Sequence, residues 1–307
     1  MEWPISEAQR ELWTDRVSRL VARARGIAGK RSVRLGALLV VLPLFAAALA
    51  FAWREAEIAL ADLALLPILV VVAAVPVSVF SSTWQLHAMT RAGGVSIRWW
   101  NALRVVTLGT LSGLLPVSSG TVVRGGAVVV WGVTPRAAGK VLAYDAVLWT
   151  CLSLLYSGAA ALLAGAQKLG LAMVAGGAVL IPVTAALGGW LPGEGGRLEL
   201  AISRFVGVIV QVVRLQACFL ALGYSATFVE ASTLAAASPL ASVFFFLPGG
   251  IGVREAFTSA VGVAVGLSAA GAFLAAALNR LVGLSVVLAW EGLLLLRTRP
   301  ESEESPG

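Results

Sequence analysis

The sequence predicts an all-α polytopic membrane protein, with about six transmembrane helices and two re-entrant helical hairpins arranged as an inverted repeat. Three observations predict it. Of 307 residues, 59% are hydrophobic and 13% charged, with a mean hydropathy of +0.89, a balance foreign to soluble domains. Several apolar runs reach the roughly 20 residues that cross about 30 Å of hydrocarbon. Two further apolar regions are broken midway by Pro and Gly, which leaves arms too short to cross.

Residues 1–32 come first. Ile5, Leu12, Trp13, Val17, Leu20, Val21, Ala24 and Ile27 recur at helical spacing, interleaved with Arg10, Arg16, Arg19, Arg23 and Arg25. That pattern suits a basic amphipathic helix lying on the membrane, with a solvated basic tail as the alternative. The chain carries 23 Lys and Arg against 16 Asp and Glu, net +7, and eight of the basic residues fall in the first 34. Such an asymmetry sets orientation in the bilayer and does not point to nucleic acid. The charged stretch is too long for a secretory signal, so the first span is expected to be retained.

Residues 33–296 form the expected transmembrane domain. Val33–Trp53, Leu63–Ser82, Val141–Gly165 and Leu169–Leu191 are spans by length and composition. Phe205–Leu222, which carries Arg214, and Ala269–Leu296, which carries Arg280 and Glu291, complete six. Between the second and third spans, the arms Val105–Leu115 and Thr121–Trp131 flank Pro116-Val117-Ser118-Ser119-Gly120. Each arm is about 11 residues, or roughly 17 Å at 1.5 Å per residue. The region Thr227–Leu267 turns in the same way at Pro248-Gly249-Gly250-Ile251-Gly252.

Charge placement supports this count. Arg54, Glu55, Glu57 and Asp62 make a net acidic outer loop, whereas His87, Arg91, Arg98, Arg104, Arg136 and Lys140 belong inside. Arg297 and Arg299 then put residues 297–307 inside as a short tail. Both termini are expected in the cytoplasm, with the chain in the cell (inner or plasma) membrane. The two hairpins open from opposite faces. Leu115-Pro116 matches Leu247-Pro248, and Ala137-Ala138-Gly139 matches Ala269-Ala270-Gly271, both 132 residues apart.

Half-helix ends that meet inside a bilayer leave unpaired backbone donors and acceptors, a transporter signature. Arg124 follows the first turn and Arg254-Glu255 follow the second, each roughly 15 Å deep by arm length. Arg280 sits midway along the last span and Asp145 near the inner end of the third. Guanidinium forks fit phosphate oxygens, so Arg124, Arg254 and Arg280, with Ser118 and Ser119, are the candidate head-group site. Glu255 and Asp145 would serve as counter-charges or proton carriers. A second reading pairs Arg254 with Glu255, or Arg280 with Asp145, as packing devices. Pro116, Gly120, Pro248, Gly249, Gly250 and Gly252 shape the turns.

Other chemistries find little support. Cys151 and Cys218 lie in apolar runs, and one His87 without a Cys or His cluster leaves no metal site. Ser118 and Ser119 lack a nucleophile motif, and the glycines after Pro248 lack the Lys of a phosphate loop. No cofactor is implied.

The string Leu247-Pro-Gly-Gly-Ile-Gly-Val-Arg-Glu-Ala256 resembles the lysylphosphatidylglycerol synthase transmembrane family, which is flippase-like. The turn from Pro116 through Gly120 to Arg124 is similar to that family's other short motif, though Ser118-Ser119-Gly120 is less Gly-rich. Asn279-Arg280 before an apolar helix also resembles it. The likeness runs from about Val33 to Leu296. It implies movement of a lipid with a polar or anionic head group, a phospholipid or a polyprenyl-linked lipid, between leaflets by alternating access, without ATP hydrolysis by this chain. Full-length synthases carry a soluble aminoacyl-transferase domain; after Arg299 this sequence has only an acidic tail, so enzymatic transfer is not expected. A membrane lipid is the expected partner. The alternative is a non-catalytic scaffold or accessory subunit for a lipid-modifying or glycosyl-transfer enzyme. Gly- and Ala-rich helix faces suit packing within one chain or in an oligomer.

Overall fold

The computed structural model describes residues 31–56, 62–112, 119–242 and 252–297. The basic segment at 1–30, the turn residues Pro116, Ser118, Pro248, Gly249 and Gly250, and the tail beyond Arg297 lie outside the described residues. Among the described residues the protein is all helical. In order, the helices are α1 (Arg31–Ala56), α2 (Leu65–Ala92), α3 (Trp99–Ser112), α4 (Ser119–Val130), α5 (Pro135–Leu163) and α6 (Gln167–Gly189). There follow α7 (Glu194–Ala221), α8 (Phe228–Thr233), a 3-10 turn (Leu234–Ala236), α9 (Ala237–Ser242), α10 (Val253–Ala264) and α11 (Ala269–Arg297).

The long helices are built for lipid. In α2, Leu65, Leu66, Leu69 and Phe80 are exposed, while Ser81, Thr83, Gln85 and Thr90 are buried. An aqueous helix would show the reverse. Leu65–Ala92, Pro135–Leu163, Gln167–Gly189 and Ala269–Gly292 are long and apolar enough to cross a membrane. These helices make the chain a polytopic membrane protein.

Two expected boundaries move. Helix α7, where the fifth span is expected from Phe205, begins at Glu194. Its charged first turns do not form a loop, because Arg197 pairs with Glu194 at 3.2 Å and Arg91 of α2 pairs with Glu199. The second span continues to Ala92, so His87 and Arg91 lie on α2 itself rather than in a loop.

Small residues set the closest contacts. A Cβ on Gly158 of α5 would lie 2.8 Å from the backbone nitrogen of Val174 in α6, and one on Gly196 of α7 would lie 2.8 Å from Cα of Ala92. Only glycine permits these approaches. Where α8 gives way to the 3-10 turn, Ser157 of α5 repairs the backbone: its Oγ accepts from the N–H of Ala236 at 2.9 Å and donates to the Ser232 carbonyl at 3.1 Å. Broken helices persist at membrane depth where a neighbour supplies such partners.

The two Pro-interrupted regions are pairs of short helices. The α3 and α4 segments pack on each other, as do α9 and α10. The 14 residues of α3 span roughly 21 Å, and the 12 residues of α4 or α10 roughly 18 Å, too little to cross hydrocarbon alone.

Candidate functional site

A cavity of about 390 Å³ lies where the mid-lengths of α2, α7 and α11 meet, with α3, α4, α5 and α10 contributing single side chains. Helical spacing builds its walls. On α2, Ser78, Ser81, Ser82 and Gln85 recur at three- and four-residue intervals; on α7, Ser203, Arg204, Gly207, Gln211 and Arg214 do the same. Each set forms one polar stripe on an otherwise apolar helix. From the short helices come Thr110, Arg124 and Arg254, and α11 supplies Asn279 and Arg280.

Five arginines therefore converge on one chamber inside a membrane protein. Two are neutralised by carboxylates. Arg204 clamps Asp145 with both arms, Nε donating to Oδ1 at 2.6 Å and Nη2 to Oδ2. Gln85 donates a third hydrogen bond to Oδ1 at 2.9 Å, and the guanidinium lies 4.8 Å from the centre of the Trp149 ring. Arg280 forms an ion pair with Glu255, Nε to Oε1 at 3.1 Å, while Oε2 of Glu255 accepts from the N–H of Gly252 at the start of α10. Glu255 is fully buried.

The other three have no such partner among the described residues. Arg214 donates to neutral oxygens, Ser78 Oγ at 3.1 Å and the Asn279 carbonyl at 3.0 Å. Gly283 makes room for it, since a Cβ there would lie 2.6 Å from Nη2. Among the described residues, no carboxylate makes an ion pair with Arg124, Arg214 or Arg254. The buried Nε atoms of Arg124 and Arg214 have no hydrogen-bond partner. Among the described residues, the chamber thus carries three more positive charges than its two acids balance, and it suits a phosphate or another anion.

The sequence-derived site residues are partly gathered here. Arg124, Arg254 and Arg280 line the same cavity, and Asp145 and Glu255 flank it. Pairing differs from the expected alternatives: Asp145 binds Arg204 rather than Arg280, and Glu255 binds Arg280 rather than its neighbour Arg254. Adjacent helical residues point about 100° apart, so Arg254 and Glu255 face different ways. Ser118 lies outside the described residues, and of Ser119 only the backbone, in the first turn of α4, is described. Gly120 follows it, and Gly252 takes φ +84° immediately before α10. Arg204 and Arg214 were not among the expected site residues; the polar stripe at 203, 204, 207, 211 and 214 is the signal that marks them. Glu230 caps α8 by accepting from the N–H of Thr227 at 2.8 Å.

Beside the chamber, across Val75, Val79 and Val287, lies an apolar groove of about 540 Å³ walled by Phe80, Trp99, Leu103 and Trp290. Trp99 packs on Phe80 at 4.9 Å between ring centres. Among the described residues, no three His, Cys, Asp or Glu side chains come together to hold a metal.

No curated protein matches the chain. Residues 197–290, which contain Arg204, Arg214, Arg254, Glu255 and Arg280 but not Arg124 or Asp145, match the model of the family described as Lysylphosphatidylglycerol synthase TM region, the family that the Leu247–Ala256 string resembles.

Proposed function

We propose that the protein moves a lipid with an anionic head group between the leaflets of the cell membrane by alternating access, without catalysing a covalent step or hydrolysing a nucleotide. The observation that carries this reading is the five-arginine chamber. Its three unbalanced charges line a cavity at the mid-lengths of α2, α7 and α11, a depth at which a charge facing lipid would cost about 2.5 to 3.5 kcal/mol. A site that costly is accounted for by an anion passing through it. Arg124, Arg254 and Arg280 hold the head group together with Arg204 and Arg214. Asp145 and Glu255 are the counter-charges whose pairing changes as the site turns from one face to the other. The pairs α3–α4 and α9–α10 act as opposed re-entrant hairpins, and both termini lie in the cytoplasm by the positive-inside rule. An enzyme that makes or consumes the lipid is the expected partner.

The test is a leaflet-exposure assay on proteoliposomes containing short-chain fluorescent anionic, zwitterionic and polyprenyl-phosphate lipids. Head-group-selective movement is expected, and its loss in Arg254→Ala at equal protein incorporation. Wild-type protein that moves none of these lipids would overturn transport and leave the scaffold reading in its place.

A further inference from the structure

The chamber's charge balance narrows the head group. We propose that it takes a phosphate bearing two or more negative charges and no cationic substituent, a phosphomonoester or diphosphate of a long-chain lipid, whose hydrocarbon leaves through the adjoining groove between α2, α3 and α11. This deepens the transport reading and rests on it for its biological role.

Charge comes first. Asp145 accepts three hydrogen bonds from Arg204 and Gln85, and Glu255 is held by Arg280 and the Gly252 N–H. Among the described residues, Arg124, Arg214 and Arg254 are left in excess. The turn segments at 113–118 and 243–251 contain no acid that could balance them. A phosphodiester, with one charge, would leave two guanidiniums uncompensated in a poorly solvated site. A phosphomonoester is largely dianionic at neutral pH, its second pKa being about 6, and a diphosphate carries more charge still. An aminoacylated head group fares worst, because its ammonium would enter a chamber whose two carboxylates are already engaged.

The donors agree. Arg124 presents a buried, unpartnered Nε, as does Arg214. Ser81 and Ser82 lie on the same wall. Planar guanidinium forks matched to three terminal oxygens favour a phosphate over a single-oxygen acceptor.

The groove supplies the other half of a lipid site. It is almost wholly apolar, walled by Phe80, Trp99, Leu103, Val286 and Trp290, and it adjoins the chamber along Val75, Val79 and Val287. A molecule seated with its phosphate on the arginines has its chain directed across those three valines into hydrocarbon-like surroundings. A soluble phosphate would make no use of this arrangement.

The test is equilibrium binding to the purified full chain in detergent, followed by calorimetry. The ligands are short-chain phosphatidic acid, farnesyl phosphate, farnesyl diphosphate, short-chain phosphatidylglycerol, lysylphosphatidylglycerol and inorganic diphosphate. The lipids with terminal phosphates are expected to bind at least about tenfold more tightly than phosphatidylglycerol, a difference of about 1.4 kcal/mol, and lysylphosphatidylglycerol should not compete. Arg124→Gln, Arg214→Gln and Arg254→Gln should each narrow that ratio, whereas Arg254→Lys should keep most of it. Reading a ratio between ligands, with thermal unfolding measured in parallel, separates selectivity from loss of fold.

Phosphatidic acid against farnesyl phosphate distinguishes a diacyl from an isoprenoid source. Phosphatidylglycerol or its lysyl ester binding as tightly as the terminal phosphates would overturn the charge assignment. Inorganic diphosphate matching the lipids would overturn the role of the groove. Selective binding without leaflet movement would uphold the head-group assignment and remove transport.

Discussion

Residues 119–163 and 253–297 fold into the same succession. In each, a 12-residue helix (α4, α10) is followed by a four-residue connection and a 29-residue helix (α5, α11). The connections agree from their second residue onward. Gly132 and Gly266 take φ +101° and +83°, and their N–H groups donate to Val129 and Val263. The next residues, Val133 and Leu267, donate five positions back to Val128 and Gly262 at 3.2 and 2.9 Å. Thr134 and Ser268 then cap the long helices, accepting from Ala137 at 3.3 Å and Gly271 at 3.2 Å. The charges differ. In the second region the acid is on the short helix and pairs with the long one, Glu255 to Arg280, so the region closes on itself. In the first, Asp145 is on the long helix and reaches out to Arg204 of α7. The connections depend on local backbone chemistry and can be duplicated; the ion pairs depend on what each region meets.

The comparison can be broken at its charges first. Arg280→Met strands the fully buried Glu255 and should lower stability by about 3 to 5 kcal/mol, read as a fall in thermal unfolding temperature in detergent; Glu255→Leu combined with Arg280→Met should recover most of it. An undiminished unfolding temperature in the single variant would show that the pair does not hold the region together. Arg204→Met should cost less, about 1 kcal/mol, because Asp145 is slightly exposed where Glu255 is fully buried, and the Gln85 side chain stays hydrogen-bonded to it. Equal losses would mean that the two pairs are equivalent after all.

The connections sharpen it. Gly132→Ala and Gly266→Ala force a Cβ into a left-handed conformation and should each cost about 1 to 2 kcal/mol. Two similar values support equivalent connections, and one silent substitution would separate them. Thr134→Ala and Ser268→Ala remove the caps and should cost about 1 kcal/mol or less, with helix fraying followed by hydrogen exchange in the first turns of α5 and α11.

The correspondence of elements runs at 134 residues, as Gly132 with Gly266 shows, and not at the 132 suggested by matching Leu-Pro and Ala-Ala-Gly. Leu, Ala and Gly identities are common in so apolar a chain, whereas caps and left-handed glycines fix where helices end. The same limit applies to α7. Its charged start looked like a loop because the partners of Glu199 and Arg197 could not be seen, and that hid Arg204 just before the expected boundary. Trp99 packs on Phe80 as a wall of the groove, a contact between two helices that no local pattern marks.

By itself the sequence determined that the chain is an all-helical membrane protein, because length and hydropathy alone decide whether a helix crosses a bilayer. It also marked Arg124, Arg254 and Arg280, since a charge in an apolar run stands out without any partner. Only the tertiary structure decided that these three meet Arg204 and Arg214 in one chamber, that Asp145 and Glu255 are already engaged, and that an apolar groove lies alongside. Residues from seven helices line that chamber, and ion pairing depends on distances of a few ångströms between segments far apart in the chain, which no local pattern encodes.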